Sequence, residues 1–447
     1  MPIWATLILV GGGDCASEVV AANANPPEVR RNCLRLVWLI PKMLGGLPIG
    51  GNRKTALLRK PQIMLSVFIM RIPLVLSIFV IGFASPFLWA EDVSLKLEVQ
   101  HSIDRGLAWL KTQRQKDGFW SESNYPALTA LPLAAILLDP SRDRSAPLPK
   151  AIDDSLDWLV SLVKQDGGIY GKGLGNYNTS VSMMALMLAE RPGDEATLLQ
   201  ARRFLSNQQQ DYGIRGEQDH VLDGGIGYGS SYAHSDLSNT HLALEALYYS
   251  KGLIQEKPEE EAYALDWEAA IAFVSKCQNL PETNSESWVS GDESNRGGFI
   301  YFPGDSKAGE QQLPNGKVAL RSYGSMGYAG LLAFIYADLD SKDPRMKAVL
   351  DWLEANYAID ENPGMGAEGL YYYYHTMAKA LALAKVDTFK LKDGTAVRWR
   401  ADLSKKLFNL QKRDGSWENA TQRWWEGDAV LATSYAVLAL ERLHQGL

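Results

Sequence analysis

Cysteine is nearly absent from this sequence. Only Cys15, Cys33 and Cys277 occur in 447 residues, too few for a disulfide framework even in an oxidising compartment. Basic tracts are missing as well. Residues 1–90 hold nine of the 45 Lys+Arg and three of the 52 Asp+Glu, which leaves 36 basic and 49 acidic residues beyond them and a net charge of −13. A chain that acidic is ill suited to nucleic acid or to anionic membrane surfaces. No apolar run reaches the length of a comfortable membrane span. Histidine numbers six, and no cofactor-binding motif is read.

The longest uncharged apolar run, IPLVLSIFVIGFA from Ile72 to Ala84, follows Arg71 and leads through SPFLWA to Glu91. A basic residue, a short apolar run and a small residue before a polar start describe a secretory signal peptide. It is assigned to residues 70–90, with cleavage after Ala90 and export to the periplasm or the extracellular space. Residues 1–69 show no sustained period. They are expected to be an upstream extension from a misassigned start, with Met70 or Met64 as the true start; a long basic n-region is the alternative. Cys277 alone would remain after cleavage, within an apolar helical segment where it reads as a small core residue.

From residue 91 to 447 one theme recurs. An amphipathic helical segment leads to a Gly-rich turn bearing an aromatic or aliphatic residue, and a second segment, apolar nearly all round, follows. Ile103, Leu107 and Leu110 illustrate the stripe of the first kind, as do Ile152, Leu156 and Leu159. Segments such as TSVSMMALMLAE (179–190), NTHLALEALYY (239–249) and HTMAKALALAKV (375–386) illustrate the second kind, buried on more than one side. Six such pairs predict an all-α fold, an (α/α)6 toroid with inner helices in a ring and outer helices around it. The polar stretch Pro281–Leu320 is then an elaborate rim loop.

Gln113-Arg-Gln-Lys-Asp-Gly118-Phe-Trp120 and Gln411-Lys-Arg-Asp-Gly415-Ser-Trp417 resemble the QW repeats of squalene–hopene cyclases. Gln165 with Gly168 and Tyr170, and Gln209 with Gly213, resemble them more loosely, without the Trp. The resemblance covers the repeats of residues 91–447 and implies the terpene-cyclase and prenyltransferase toroid, with the prenyltransferase/squalene oxidase repeat. Fold does not by itself fix function.

In the cyclases an Asp-x-Asp-Asp-Thr motif opens an inner helix and supplies a strong acid that protonates an alkene. Here Asp236-Leu237-Ser238-Asn239-Thr240 stands at such a start: the first Asp and the Thr match, and Ser238 and Asn239 replace the other two acids. Asp236 is therefore the candidate catalytic residue, without the central proton donor, and it reads first as a helix cap. The resemblance also implies a cavity lined at inner-helix starts, for which His234, His241, Tyr323, Tyr374, His375, Trp425 and Asp428 are the candidates. Consecutive tyrosines 371–374 cannot all face one way. The zinc site of protein prenyltransferases is not recognisable, and the cluster His220, Asp223, His234, Asp236 and His241 lacks the spacing of a metal site.

Three function classes stay open. One is an exported toroid binding an isoprenoid or other apolar ligand, with squalene-type protonation lost. A second is a non-catalytic module for a periplasmic protein partner; Gly309-Glu310-Gln311 resembles the tail of a thioester motif, but Lys307-Ala308 precedes it and no thioester forms. The third is a polysaccharide-active toroid enzyme, for which Glu426 and Asp428 are available carboxylates.

Overall fold

The computed structural model describes residues 73–229 and 234–447, with side chains from Asp92 onward. Among the described residues twelve α-helices carry the fold. They are α1 (Pro73–Gln113), α2 (Ala127–Leu138), α3 (Lys150–Ser161), α4 (Gly175–Ala189), α5 (Glu195–Ser206) and α6 (Leu237–Tyr249). The second half holds α7 (Trp267–Lys276), α8 (Gly324–Tyr336), α9 (Pro344–Ala355), α10 (Leu370–Leu383), α11 (Trp399–Leu410) and α12 (Ala429–Gly446).

The even-numbered helices form the inner ring. Each packs on the next, from α2 through α4, α6, α8 and α10 to α12, and α12 packs back on α2. The odd-numbered helices lie outside, and α11 meets α1 to close the outer layer. The protein is an (α/α)6 toroid. Burial follows the layers. Every residue of α2 from Ala127 to Leu138 is buried, whereas α3 buries only Ile152, Ser155, Leu156 and Leu159. A helix facing neighbours on both sides and the ring interior has no wet face, and one on the outside has a single dry stripe.

The Gly-rich turns fasten the layers. Gln411 donates from Nε2 to the carbonyl oxygens of Ser102 and Gly415, both at 3.0 Å, so the end of α11 is tied to α1. Gln209 does the same toward Gly224 and Asp266, and Gln278 toward Gly297 and Arg345. In the first unit the residue four before the turn glycine is Arg114, which donates to Ser155 Oγ at 2.8 Å; Gln113 bonds only to its neighbour Thr112. The repeat register therefore aligns Arg114, not Gln113, with Gln411. Trp120 and Trp417 are fully buried, each indole N–H donating to a carbonyl of its outer helix ten residues back, Leu110 and Leu407.

Two glycines show why the turn needs that residue. Gly224 (φ +81°) and Gly415 (φ +98°) adopt the left-handed backbone. A Cβ on them would lie 2.0 Å from the Ala269 carbonyl oxygen and 2.5 Å from that of Arg105. The chain must both reverse hand and touch the next outer helix, which only glycine permits.

In four of the six units a threonine completes the contact. The hydroxyls of Thr129, Thr179, Thr240 and Thr433 accept from the backbone N–H two residues beyond the turn glycine, at Trp120, Ile169, Ile226 and Trp417. Pro281–Leu320 sits between α7 and α8 and carries a two-stranded hairpin, β1 (Glu310–Gln312) with β2 (Val318–Leu320). A second hairpin, β3 (Phe389–Lys390) with β4 (Ala396–Val397), precedes α11. The expected extension 1–69 lies outside the described residues, and so do residues 70–72 of the expected leader. Among the described residues no helix is long and apolar enough to cross a membrane.

Candidate functional site

The interior of the ring has two storeys. The upper one lies at the starts of the inner helices. Asp236 is fully buried and caps α6: one carboxylate oxygen accepts from Asn239 N and the other from Asn239 Nδ2, both at 2.8 Å. The Tyr301 hydroxyl lies near this carboxylate and favours its charged form. Burial raises the Asp236 carboxyl to about 7, against the opposing pull of Asn239 and Tyr301. Tyr228, close to Tyr301 and Asn239, is pushed up to about 12 by burial and by the Asp236 charge. Burial raises Tyr301 and Tyr323 further still. The storey is a cluster of neutral hydroxyls around one carboxyl.

The lower storey holds a cavity of about 60 Å³, room for roughly two waters. It is amphipathic. Leu131, Ala134 and Leu138 of α2 and Val181, Met184 and Leu188 of α4 make an apolar wall. His241 and Glu245 of α6, Tyr372, His375 and Lys379 of α10, and Tyr435 of α12 face it. Lys379 Nζ donates to both Glu245 oxygens at 2.9 Å, and both side chains are buried. Burial lowers the His241 imidazole to about 4 and His375 well below its ordinary range, with Lys379 adding to both shifts. Both rings are neutral at pH 7. Tyr177 and Tyr435, both lining the cavity, meet hydroxyl to hydroxyl at 3.0 Å, and Tyr372 reaches Ser238 at 3.3 Å.

The candidates read from the sequence are distributed unevenly. His241 and His375 share the cavity. Tyr323 is buried at the start of α8, where it feels the Asp236 charge. His234 is half-buried ahead of α6 and stacks on Phe302 with centroids 4.6 Å apart. Tyr374 turns away from the ring interior and donates to the Ile359 carbonyl at 2.7 Å; Tyr372 is the tyrosine of that run that lines the cavity. Trp425 is a rim residue, 49% exposed, packed edge-on against Tyr125. Asp428 caps α12 by accepting from Val430 N and Leu431 N, and Glu426 caps α10 through Tyr371 N and Tyr372 N.

Glu245, Lys379, Tyr177, Ser180 and Tyr435 were not singled out from the sequence. A signal for two of them was present. His241 and Glu245 are one helical turn apart, as are His375 and Lys379, and each charge interrupts an otherwise apolar inner helix. Among the described residues no group of three or more His, Cys, Asp or Glu side chains is disposed to hold a metal ion. Cys277 is free and buried.

No family model matches the chain, and no curated protein matches it. Among solved structures it is similar to the type II terpene cyclase MstE from Scytonema in its apo form, at 13% identity and a TM-score of 0.47 over 79% of this chain and 99% of that one. A variant of that cyclase in complex with its substrate, geranylgeranyl dihydroxybenzoate, gives 13% identity and a TM-score of 0.48 over the same shares. A protein from Actinoplanes gives 14% identity and a TM-score of 0.44 over 77% and 99%.

Proposed function

We propose that this protein is an exported, terpene-cyclase-like toroid that binds an isoprenoid or another apolar ligand at its centre, without squalene-type protonation. The observation that carries the reading is the amphipathic cavity. A ring that served only as a scaffold gains most from an apolar, filled centre, because buried charges and hydroxyls cost stability that packing does not return. This centre instead holds two neutral histidines, an ion pair and three tyrosines against a wall of leucine, valine and methionine.

Alkene protonation requires a carboxylic acid presented to the substrate. Asp236 is fully buried, both its oxygens are engaged, and it does not line the cavity. Ser238 and Asn239 cannot supply the missing acid. Sugar chemistry finds no better support, since Glu426 and Asp428 are consumed as helix caps. A prenyl chain exceeds 60 Å³, so binding requires the lining to move apart, and the Tyr177–Tyr435 contact is proposed as the part that yields. Export rests on the apolar run before Ala90.

The test is solvent extraction and mass spectrometry of the exported protein, with titration by a fluorescent prenyl probe. A co-purifying apolar molecule or saturable probe binding that maps to α4, α10 and α12 is expected. A lipid-free protein that binds no probe overturns the reading.

A further inference from the structure

We propose that the cavity selects a neutral apolar alcohol, whose hydroxyl lies between Ser180 and His375. The inference rests on the cavity being an apolar-ligand site, and it adds the chemical class.

Ser180 and His375 line the cavity from α4 and α10, which stand opposite each other in the ring of six. Both are buried, and neither Ser180 Oγ nor His375 Nδ1 has a hydrogen-bond partner. Buried polar groups are almost always paired, and an unpaired one needs an explanation. Two on opposite helices of one cavity are open to one shared partner. A hydroxyl donates one hydrogen bond and accepts others, so a single alcohol oxygen serves a serine and a neutral imidazole together.

The ion pair of that wall argues against an anion. The Lys379 ammonium is already held by both oxygens of Glu245. A diphosphate or carboxylate head would have to take Lys379 from Glu245 and leave a buried carboxylate without its cation, which is strongly unfavourable. Arg442, half-buried toward the end of α12, also lines the cavity and bonds to the neutral Gln445 at 3.3 Å, so farnesyl diphosphate is the comparison that tests the choice of an alcohol over an anion. A pure hydrocarbon fits the apolar wall and leaves Ser180 and His375 unsatisfied.

The experiment titrates the full chain with farnesol, the matching saturated hydrocarbon and farnesyl diphosphate, by displacement of an apolar fluorescent dye. Farnesol is expected to bind about tenfold more tightly than either of the others. Ser180→Ala and His375→Phe should each weaken farnesol about five- to tenfold, the worth of one hydrogen bond to a buried group, and leave the hydrocarbon unchanged. His375→Asn, which keeps a polar atom near the Nδ1 position, should retain most of the preference and guards against a Phe variant that does not fold. Equal or tighter binding of the diphosphate or the hydrocarbon overturns the proposal. So does an equal loss for alcohol and hydrocarbon in the variants. If farnesol and the hydrocarbon both fail to bind the unaltered protein, the apolar-ligand reading falls, and the alcohol with it; if the hydrocarbon binds and farnesol gains nothing, only the alcohol falls.

Discussion

Replacing Asp236 by Asn separates the two properties of this side chain, its cap and its charge. Asn caps helices about as well as Asp, so the bond to Asn239 N is kept. What disappears is a carboxyl that titrates at about 7 instead of the usual 3.8 because it is buried. The folded state prefers the neutral acid, so the wild type has its full stability below about pH 4 and loses it as pH rises through 7. A shift of about three units at 1.36 kcal/mol each amounts to about 4 kcal/mol by pH 8, an order of magnitude that solvent relaxation would reduce. The amide keeps the acceptor for Asn239 N, but its NH2 cannot accept from Asn239 Nδ2 as the carboxyl oxygen does, a loss of about 0.5–1.5 kcal/mol that is the same at every pH. Urea denaturation of both proteins at pH 4.5 and pH 8 gives the answer through their difference, in which the titration of other groups cancels. Relative to the wild type, Asp236→Asn should gain about 2–4 kcal/mol between pH 4.5 and pH 8. Parallel pH profiles for the two proteins would refute the argument that Asp236 is held neutral by burial.

Gly224→Ala forces a Cβ to 2.0 Å from the Ala269 carbonyl and should cost more than about 3 kcal/mol in denaturant melts. Gly216→Ala, at φ +84° with open space around it, should cost only the about 1–2 kcal/mol of a left-handed backbone; similar losses for both would remove the close approach as the reason for the glycine. Lys379→Met leaves Glu245 buried without its cation and should cost about 3–5 kcal/mol, most of it recovered when Glu245→Leu is added; failure of the double variant to recover would show that the pair itself, not its broken half, sustains the core. Tyr435→Phe removes the hydroxyl contact to Tyr177 and should lower stability by about 0.5–1.5 kcal/mol. It should also speed uptake of an apolar dye in stopped flow, and an unchanged rate would show that this contact does not gate the cavity.

The toroid was legible in the sequence because each unit repeats two different periodicities, a one-sided stripe and an all-round apolar segment. Only a layered ring satisfies both six times over. The site was less legible, for two physical reasons. Inner helices are buried on every face, so no periodicity separates a side chain that faces the ring centre from one that faces an outer helix. Tyr372 and Tyr374 differ in this way although they are two residues apart. Residues at helix starts also carry capping duties that look like chemistry in one dimension. Glu426 and Asp428 are acids beside aromatics in the sequence and caps in the structure. The charges Glu245 and Lys379 were the better pointer, because a charge inside an apolar helix must find its partner across the ring or in a ligand.

The five residues from Asp236 to Thr240 show how repetition separates scaffold from site. Thr240 matches the cyclase motif, but Thr129, Thr179 and Thr433 accept the same backbone bond in other units. A feature shared by four units of the repeat belongs to the ring, so Thr240 by itself says nothing about chemistry. Four residues before those other threonines stand Tyr125, Gly175 and Ala429. Asp236 alone carries a carboxyl at that place, and there it is surrounded by Asn239, Tyr228 and Tyr301. An acid present in one unit and absent at the same position of three others is not demanded by the ring, since those units close without it. Its burial is a cost that the third unit alone bears, and the pH dependence of Asp236→Asn measures that cost directly.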